Sequence, residues 1–161
     1  MEIIPYKTNP KHLAGIIDVI NYGQNIEADL KIKMVEEYDL FDIENSYQAR
    51  GGEFWIALDN DRVVGTIALY PLIGKTAVLK KLFSYPEYRG DPIRIGNKLY
   101  DKFMEFAKAH GYTKIILDSP EGRDRAHHFY EKKGFNQITA EQLEVEYHYP
   151  DRNSLLYESN I

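Results

Sequence analysis

Residues 82–99 join an apolar strand end, a polar turn and the start of a long amphipathic helix. The turn contains Arg89, Gly90 and Arg94, and Gly96 follows in the first turn of the helix. Free backbone N–H groups at a helix N-terminus, arginine side chains and a glycine that permits close approach together suit phosphate binding. From residue types and spacing alone, an ordinary strand–turn–helix joint with solvated arginines fits equally well.

Two other phosphate-binding motifs are excluded. Gly74-Lys75-Thr76 looks like the end of a P-loop, but Leu69 occupies the position of its first glycine, and a strand is predicted to follow. The chain also has no G-x-G-x-x-G sequence. If the chain binds phosphate, the turn at residues 85–94 is therefore the candidate.

The turn and a second block downstream resemble motifs of the GCN5-related N-acetyltransferase family. That family's turn reads x-P-x-Y-R-G-x-G-x-G/A, and residues 126–135 match its A-x-x-F-Y-E-K-x-G-F block. The two blocks stand in the family's order and are separated by one predicted helix and one predicted strand. The resemblance covers residues 76–135, and in the turn it rests on Pro86, Tyr88, Arg89, Gly90 and Gly96.

The turn departs from the family pattern in ways that predict a reshaped phosphate cradle. It is two residues longer than the pattern, and the slot of the middle glycine is either occupied by Arg94 or absorbed by the insertion. Pro92 removes one N–H donor, and Asp91 adds negative charge near the expected diphosphate.

The resemblance implies transfer of an acetyl group from acetyl-CoA to an amine, which attacks the thioester directly, with no metal. It implies that two central strands, the third and fourth of the core, separate at residues 82–85. The main-chain groups of Leu82 and Ser84 would then pair with the pantetheine arm. The residues expected to bind the cofactor are Leu82, Phe83, Ser84, Arg89, Gly90, Asp91, Arg94, Ile95, Gly96, Asn97, Arg123 and Tyr130.

The catalytic residues implied by the resemblance are incomplete. Tyr130 matches the family's candidate general acid, although it could simply pack against the core. Many relatives place a glutamate base on the strand before the turn, but Val78 stands there. Asp118, Glu53 or a chain of water molecules could replace that base, and either carboxylate could instead be a solvated strand end. His127 and His128 are expected at the surface.

The acceptor is expected between residues 22–50 and the edges of the strands. The segment contains several polar and aromatic side chains that could contact an acceptor. The candidates are Tyr22, Asn25, Glu27, Tyr38 and Tyr47.

The order of elements predicts one α/β domain over residues 1–161, with a mixed, mostly antiparallel central sheet and helices on both faces. This is the acyl-CoA N-acyltransferase type of fold that the resemblance also implies. Helical spacing of apolar residues is strongest over Ile95–Ala109, and Gly23 is expected to end the first helix. Residues 28–50 predict one or two short helices. The predicted strands cover residues 1–6, 54–58, 63–70, 76–83, 113–118, 142–147 and 154–158.

Composition narrows the function classes. The 161 residues include no cysteine, which excludes disulfides, thiolate zinc sites and cysteine nucleophiles. The net charge of −5 and the lack of a basic run argue against nucleic acid as a partner. The longest apolar stretch, at residues 63–74, is too short to span a membrane, and no signal peptide is recognisable. We therefore expect a cytoplasmic protein.

Two functions remain open from the sequence. The first is an N-acetyltransferase whose partners are acetyl-CoA and an unidentified amine. The second is a non-catalytic module that binds acyl-CoA, suggested by the altered turn and the missing strand glutamate. A homodimer is also open, because the last strand could pair within the chain or across two copies.

Overall fold

A computed structural model describes residues 1–150 and 152–161 and shows one seven-stranded sheet in the order β1-β2-β3-β4-β5-β7-β6. Neighbouring strands are antiparallel except β4 and β5, which are parallel. This confirms the predicted mixed, mostly antiparallel sheet. The strands are β1 Glu2–Pro5, β2 Glu53–Asp59, β3 Arg62–Pro71, β4 Thr76–Ser84, β5 Lys114–Pro120, β6 Asn136–Ile138 and β7 Ser154–Asn160.

The helices pack against both faces of the sheet. Helix α1 packs on the face that presents Phe54 and Ile56, whereas α3 packs on the face that presents Trp55 and Ala57. Because successive side chains of a strand point to opposite faces, these two apolar cores lie on opposite sides of one sheet. The helices are α1 Pro10–Asn21, α2 Ile43–Ser46, α3 Ile95–Ala109 and α4 Asp124–Lys132.

Local sequence explains the ends of the best-defined elements. The Asn9 side chain caps α1 by accepting hydrogen bonds from the backbone N–H groups of Lys11 and His12, at 3.0 and 3.2 Å. The β2–β3 hairpin turns on Asn60 and Asp61, which have φ angles of 47° and 65°. Positive φ at both central residues is what a two-residue hairpin turn requires.

The prediction that Gly23 ends the first helix is wrong. The chain continues directly into a π-helical segment, Tyr22–Glu27. A Cβ atom at position 23 would lie 2.4 Å from the Phe83 ring, so the glycine allows close packing against β4. The segment beyond it, where one or two short helices were predicted, contains one short helix, α2, and three 3₁₀ turns. The turns are Met34–Glu36, Tyr38–Phe41 and Gln48–Arg50.

The C-terminal section differs from prediction in two strands: β6 Asn136–Ile138 was not among the predicted strands, and the strand predicted at residues 142–147 is absent. A 3₁₀ turn, Ala140–Gln142, follows β6, and the residues after this turn up to residue 147 have no regular secondary structure. Strand β7 instead pairs with both β5 and β6 inside the same chain. Over the residues that the structure describes, no helix is both long enough and apolar enough to cross a membrane.

Candidate functional site

The parallel strands β4 and β5 separate before either one ends. Their pairing stops at Val78 and Ile116, after three residues on each strand. Beyond that point β4 continues beside β3, whereas β5 continues beside β7. A gap therefore opens between the carboxyl ends of two central strands, and it begins earlier along β4 than residues 82–85, where the family resemblance implied the separation.

A β-bulge in β4 lies where the two strands part. Thr66 pairs with Phe83 and Ala68 pairs with Lys80, so two residues of β4 oppose a single residue of β3. Lys81, within the bulge, has a φ of 57°, and its carbonyl oxygen accepts a hydrogen bond of 2.6 Å from the Thr66 hydroxyl. Because a bulge bends its strand and increases the twist, this bulge accounts for the divergence of β4 from β5.

The N-terminus of α3 faces the end of β4. No side chain caps this helix, so the N–H groups of its first turn have no acceptor from a capping residue. Arg94 immediately precedes the helix with a φ of 51°, which is the conformation that glycine adopts most easily. The positive φ of Arg94 is compatible with its standing in the slot of the middle glycine, and the residue adds a guanidinium group.

A groove runs from this helix N-terminus to the gap between the strands; we call it the anion groove. Ten of the twelve residues predicted to bind the cofactor line it. Asp91 does not, because its side chain is 93% exposed, and Ile95 does not, because its side chain is fully buried in the core. The lining residues are Glu27, Leu82, Phe83, Ser84, Arg89, Gly90, Arg94, Gly96, Asn97, Arg123, Arg125, Ala126, Phe129 and Tyr130.

Arg89 is already held by protein groups within the anion groove. Its guanidinium donates to the hydroxyl and carbonyl oxygens of Ser84, at 3.1 and 2.5 Å. Its two terminal nitrogens also donate to the carboxylate of Glu27, at 2.8 and 2.6 Å. The hydrogen bond from Arg89 lowers the pKa of Glu27, against the opposing effect of burial. The Ser84 carbonyl is therefore engaged, which leaves Leu82 as the better candidate for main-chain pairing.

Replacing Glu27 with Gln is expected to tighten coenzyme A binding by about fivefold, because the diphosphate would no longer compete with a carboxylate for Arg89. Titration calorimetry with coenzyme A measures the change. Glu87→Gln is the matched control, because Glu87 is exposed, lies in the same turn as Arg89 and lines neither cleft. Weaker binding by Glu27→Gln would show that Glu27 instead orients Arg89 for the ligand.

A second cleft, the polar cleft, lies on the other side of the gap. It shares the residues Leu82, Phe83, Arg123, Ala126 and Tyr130 with the anion groove, so the two form one continuous depression. Its remaining lining residues are Gln24, Leu30, Ile32, Glu37, Asp39, Leu79, Lys80, Lys81, Asp118, Ser119, Pro120, Pro150 and Arg152.

Tyr130 lies where the two clefts meet. Its side chain is 8% exposed, and its hydroxyl group forms no hydrogen bond with any residue in 1–150 or 152–161. Burial raises the pKa of Tyr130 well above its usual value, with a smaller opposing effect from Arg123. The hydroxyl is therefore protonated at neutral pH and can donate a hydrogen bond to a ligand.

The two carboxylates proposed as bases lie in different places. Asp118 lines the polar cleft, where it accepts a hydrogen bond from the Tyr147 hydroxyl. Glu53 lines neither cleft, because its carboxylate is held at the start of β2 by the Gln48 amide and the Phe54 N–H, at 2.7 and 3.0 Å. Of the two carboxylates, only that of Asp118 therefore lies in a cleft.

The segment predicted to bind the acceptor does border the polar cleft, but through other residues. Tyr38 is 79% exposed, whereas Tyr47 is buried with its hydroxyl 2.5 Å from Asp39. The segment's contribution is Glu37 and Asp39, which share the ammonium group of Lys81 at 2.8 and 3.5 Å, together with Gln24, which donates to Glu37 at 2.9 Å. The sequence analysis missed this polar cluster, although the adjacent residues Lys80 and Lys81 in an otherwise apolar strand could have indicated it.

The histidines of α4 have different environments. His127 is buried and lies 3.0 Å from the Ser119 hydroxyl, so its predicted surface position is wrong; His128 is exposed as predicted. Within the described part of the chain, no group of three His, Asp or Glu side chains is arranged to hold a metal ion.

A sheet that opens between two parallel strands, with a helix N-terminus at the opening, is the acyl-CoA N-acyltransferase fold. Residues 22–135 match the model of the acetyltransferase (GNAT) family, and the chain belongs to that family.

Solved structures of similar chains support this assignment. An acetyltransferase from Streptococcus agalactiae is 56% identical, with a TM-score of 0.97 over 99% of this chain and 98% of that chain. A GNAT acetyltransferase from Staphylococcus aureus is 32% identical, with a TM-score of 0.89 over 99% of this chain and 98% of that one. The PaiA N-acetyltransferase of Thermoplasma acidophilum, solved with coenzyme A, has a TM-score of 0.74 at 21% identity over the full length of both chains, which shows a shared fold.

Curated relatives are more distant. The probable N-acetyltransferase camello of Xenopus tropicalis is 31% identical over 108 residues, which cover 65% of this chain and 48% of that protein. The chain therefore spans about half the length of this relative.

Proposed function

We propose that the protein is an N-acetyltransferase that moves an acetyl group from acetyl-CoA to a primary amine by direct attack. The observation that carries this proposal is the continuity of the two clefts at Tyr130. One cleft has the features of an anion site and the other is lined by polar groups. Their meeting point lies in the gap between β4 and β5, so two substrates bound from opposite sides would meet there.

The anion groove suits the diphosphate and pantetheine parts of coenzyme A. The uncapped N–H groups of α3 point toward its diphosphate end, and Arg94 and Arg125 add positive charge. Leu82 lies on the part of β4 that has left β5, so its backbone can pair with an extended amide chain. The coenzyme A complex of the T. acidophilum protein, which has the same fold, supports this proposal.

The reaction balances without a further reactant. The neutral amine nitrogen forms a bond to the acetyl carbon, and the carbon–sulfur bond breaks with its electron pair leaving on sulfur. Nitrogen loses one proton and sulfur gains one, which gives an amide and a thiol. Holding both groups in the gap lowers the barrier because their encounter entropy is lost on binding rather than during the reaction.

The protein groups at the junction have separate tasks in this reaction. Tyr130 donates its hydroxyl hydrogen bond to the sulfur as negative charge develops there. An alkylamine is mostly protonated at neutral pH, so a base must first remove a proton. Asp118, either directly or through water, is the candidate base that lies in the polar cleft.

The direct test is to incubate the protein with acetyl-CoA and a broad panel of primary amines. We expect free thiol to be released only in the presence of an accepted amine, together with an N-acetyl product detected by mass spectrometry. Calorimetry with acetyl-CoA is run in parallel. Failure to bind at high micromolar concentration contradicts any acyl-CoA function.

A non-catalytic acyl-CoA-binding module is the second candidate. Two observations favour this second function. The Glu27 carboxylate accepts two hydrogen bonds from Arg89, and buried Val78 occupies the position where many relatives have a glutamate base. Binding of acetyl-CoA without acetyl transfer to any amine of the panel would support this second function.

A further inference from the structure

The charged groups of the polar cleft fall into two sets. In the described part of the chain its three carboxylates are each engaged by another protein group: Glu37 by Lys81, Asp39 by the Tyr47 hydroxyl, and Asp118 by the Tyr147 hydroxyl. The cations are divided: Lys81 is paired with Glu37 and Asp39, and the other three form a second set without such partners in that part of the chain.

Three cations lining this cleft have no carboxylate partner among residues 1–150 and 152–161: Lys80, Arg123 and Arg152. Lys80 is half-buried, and its ammonium lies 5.3 Å from the centre of the Tyr70 ring. Burial is the largest cause of the lowered pKa of Lys80. Lys80 forms no close ion pair among the described residues, and the carboxylates of Asp39, Asp118 and Glu37 offset only part of the effect of burial. An anionic ligand in direct contact with this partly desolvated cation would relieve the remaining electrostatic penalty.

The same cleft also presents one buried acceptor with nothing to accept. Gln24 is 7% exposed, and its Oε1 atom has no hydrogen-bond partner among residues 1–150 and 152–161. The orientation of this amide is fixed, because its Nε2 atom donates to Glu37 and a carboxylate can only accept. A ligand that donates from nitrogen would satisfy the Gln24 oxygen.

We propose that the acceptor is a primary amine that also carries an anionic group, either a carboxylate or a phosphate. Lys80 and Arg152 bind the anion, and the Gln24 carbonyl oxygen accepts a hydrogen bond from the amine. Arg123 lines both clefts and stands between the anion of the acceptor and the coenzyme. This inference rests on the proposed function and specifies the substrate class of its polar cleft.

The test compares amines in matched pairs. Each member of a panel of amino acids is assayed beside its carboxamide, and glucosamine 6-phosphate is assayed beside glucosamine. The amine of a carboxamide is the less basic, so more of it is unprotonated at neutral pH and intrinsic reactivity favours the uncharged member. We expect kcat/KM for the best anionic acceptor to exceed that of its neutral partner by about tenfold, the effect of one charge-assisted hydrogen bond.

The two sources of the anion are separated by these pairs. Selectivity within the amino acid pairs assigns a carboxylate, and selectivity within the sugar pair assigns a phosphate. Equal or higher kcat/KM for the neutral members of every pair overturns the inference, although acetyl transfer itself would still establish the proposed function.

Arg152→Gln tests the binding residue. Arg152 lines the polar cleft alone, so kcat/KM for the anionic acceptor is expected to fall about tenfold while the neutral partner and the KM for acetyl-CoA are unchanged. Lys80→Met keeps the aliphatic stem and is expected to lose the same selectivity. Lys102→Gln, on the exposed face of α3, removes the same charge outside both clefts and is the control. An equal loss for both members of a pair contradicts the assignment.

A binding measurement keeps this test independent of turnover. Calorimetry on the wild-type protein should detect the preferred amino acid or sugar phosphate, and Arg152→Gln should weaken its binding by a similar factor. If no amine is acetylated but this anion-dependent binding is found, the result contradicts the proposed acetyl transfer and supports the anion site of the polar cleft. If no anionic amine binds but neutral amines are acetylated, the result supports the proposed acetyl transfer and contradicts the anion site.

Discussion

Tyr130→Phe is expected to lower kcat by about 10- to 100-fold, because it removes a hydrogen bond to a charge that develops on sulfur. The hydroxyl has no partner among the described residues, so its removal leaves no described protein group unsatisfied. Coenzyme affinity should stay within about twofold, since the phenyl ring still fills the junction between the clefts. Steady-state kinetics and calorimetry with coenzyme A measure the two quantities separately.

The control for this variant is Tyr157→Phe. Tyr157 is also a buried tyrosine of the core on the α3 side of the sheet, and it lines neither cleft. Its loss of a hydroxyl should leave kcat unchanged. Equal turnover by Tyr130→Phe and the wild-type protein would remove Tyr130 from the reaction, and a parallel loss of kcat in both variants would point to a general effect on the fold.

Ala126→Phe is expected to reduce kcat/KM by about 100-fold or more, because a displacement of about 1 Å at the reacting atoms already has an effect of this size. Ala126 lines both clefts one helical turn before Tyr130, so a phenyl ring there would fill their junction. Thiol release with the best amine of the panel measures the effect.

His128→Phe provides the matched comparison for the blocked junction. It adds the same ring to the same helix at an exposed position outside both clefts, so activity should persist. Melting temperatures of both variants show whether the helix still packs. A folded Ala126→Phe protein with wild-type activity would mean that the substrates do not meet at this junction.

The strongest sequence patterns gave the correct elements. The stripe of apolar residues in α3 specified the helix with the same ends as the structure, Ile95–Ala109. Residues 142–147 show why a pattern can mislead. Leu143, Val145 and Tyr147 alternate with exposed glutamates and are half-buried, as in a strand that covers a core. An alternating pattern shows only that one side of an extended segment is buried. A strand also needs a neighbouring strand to pair with, and both edges of β7 are already taken by β5 and β6.

The candidate site was predictable where it is local in sequence. The turn before α3 and the block around Tyr130 were identified by motifs whose residues lie close together along the chain. The ion pair between Glu27 and Arg89 joins residues 62 positions apart, and no periodicity or spacing connects them. The place of Glu53 outside both clefts was not predictable either, because a strand position does not reveal that the Gln48 amide donates a hydrogen bond to its carboxylate.

The π-helical segment has a consequence for how the two substrates influence each other. Gln24 and Glu27 are three positions apart within it, yet the first lines the polar cleft and the second lines the anion groove. A displacement of this short stretch changes the surroundings of both ligands at once. Thermodynamic linkage makes any such influence mutual, so the factor by which acetyl-CoA alters the amine's affinity equals the factor by which the amine alters that of acetyl-CoA.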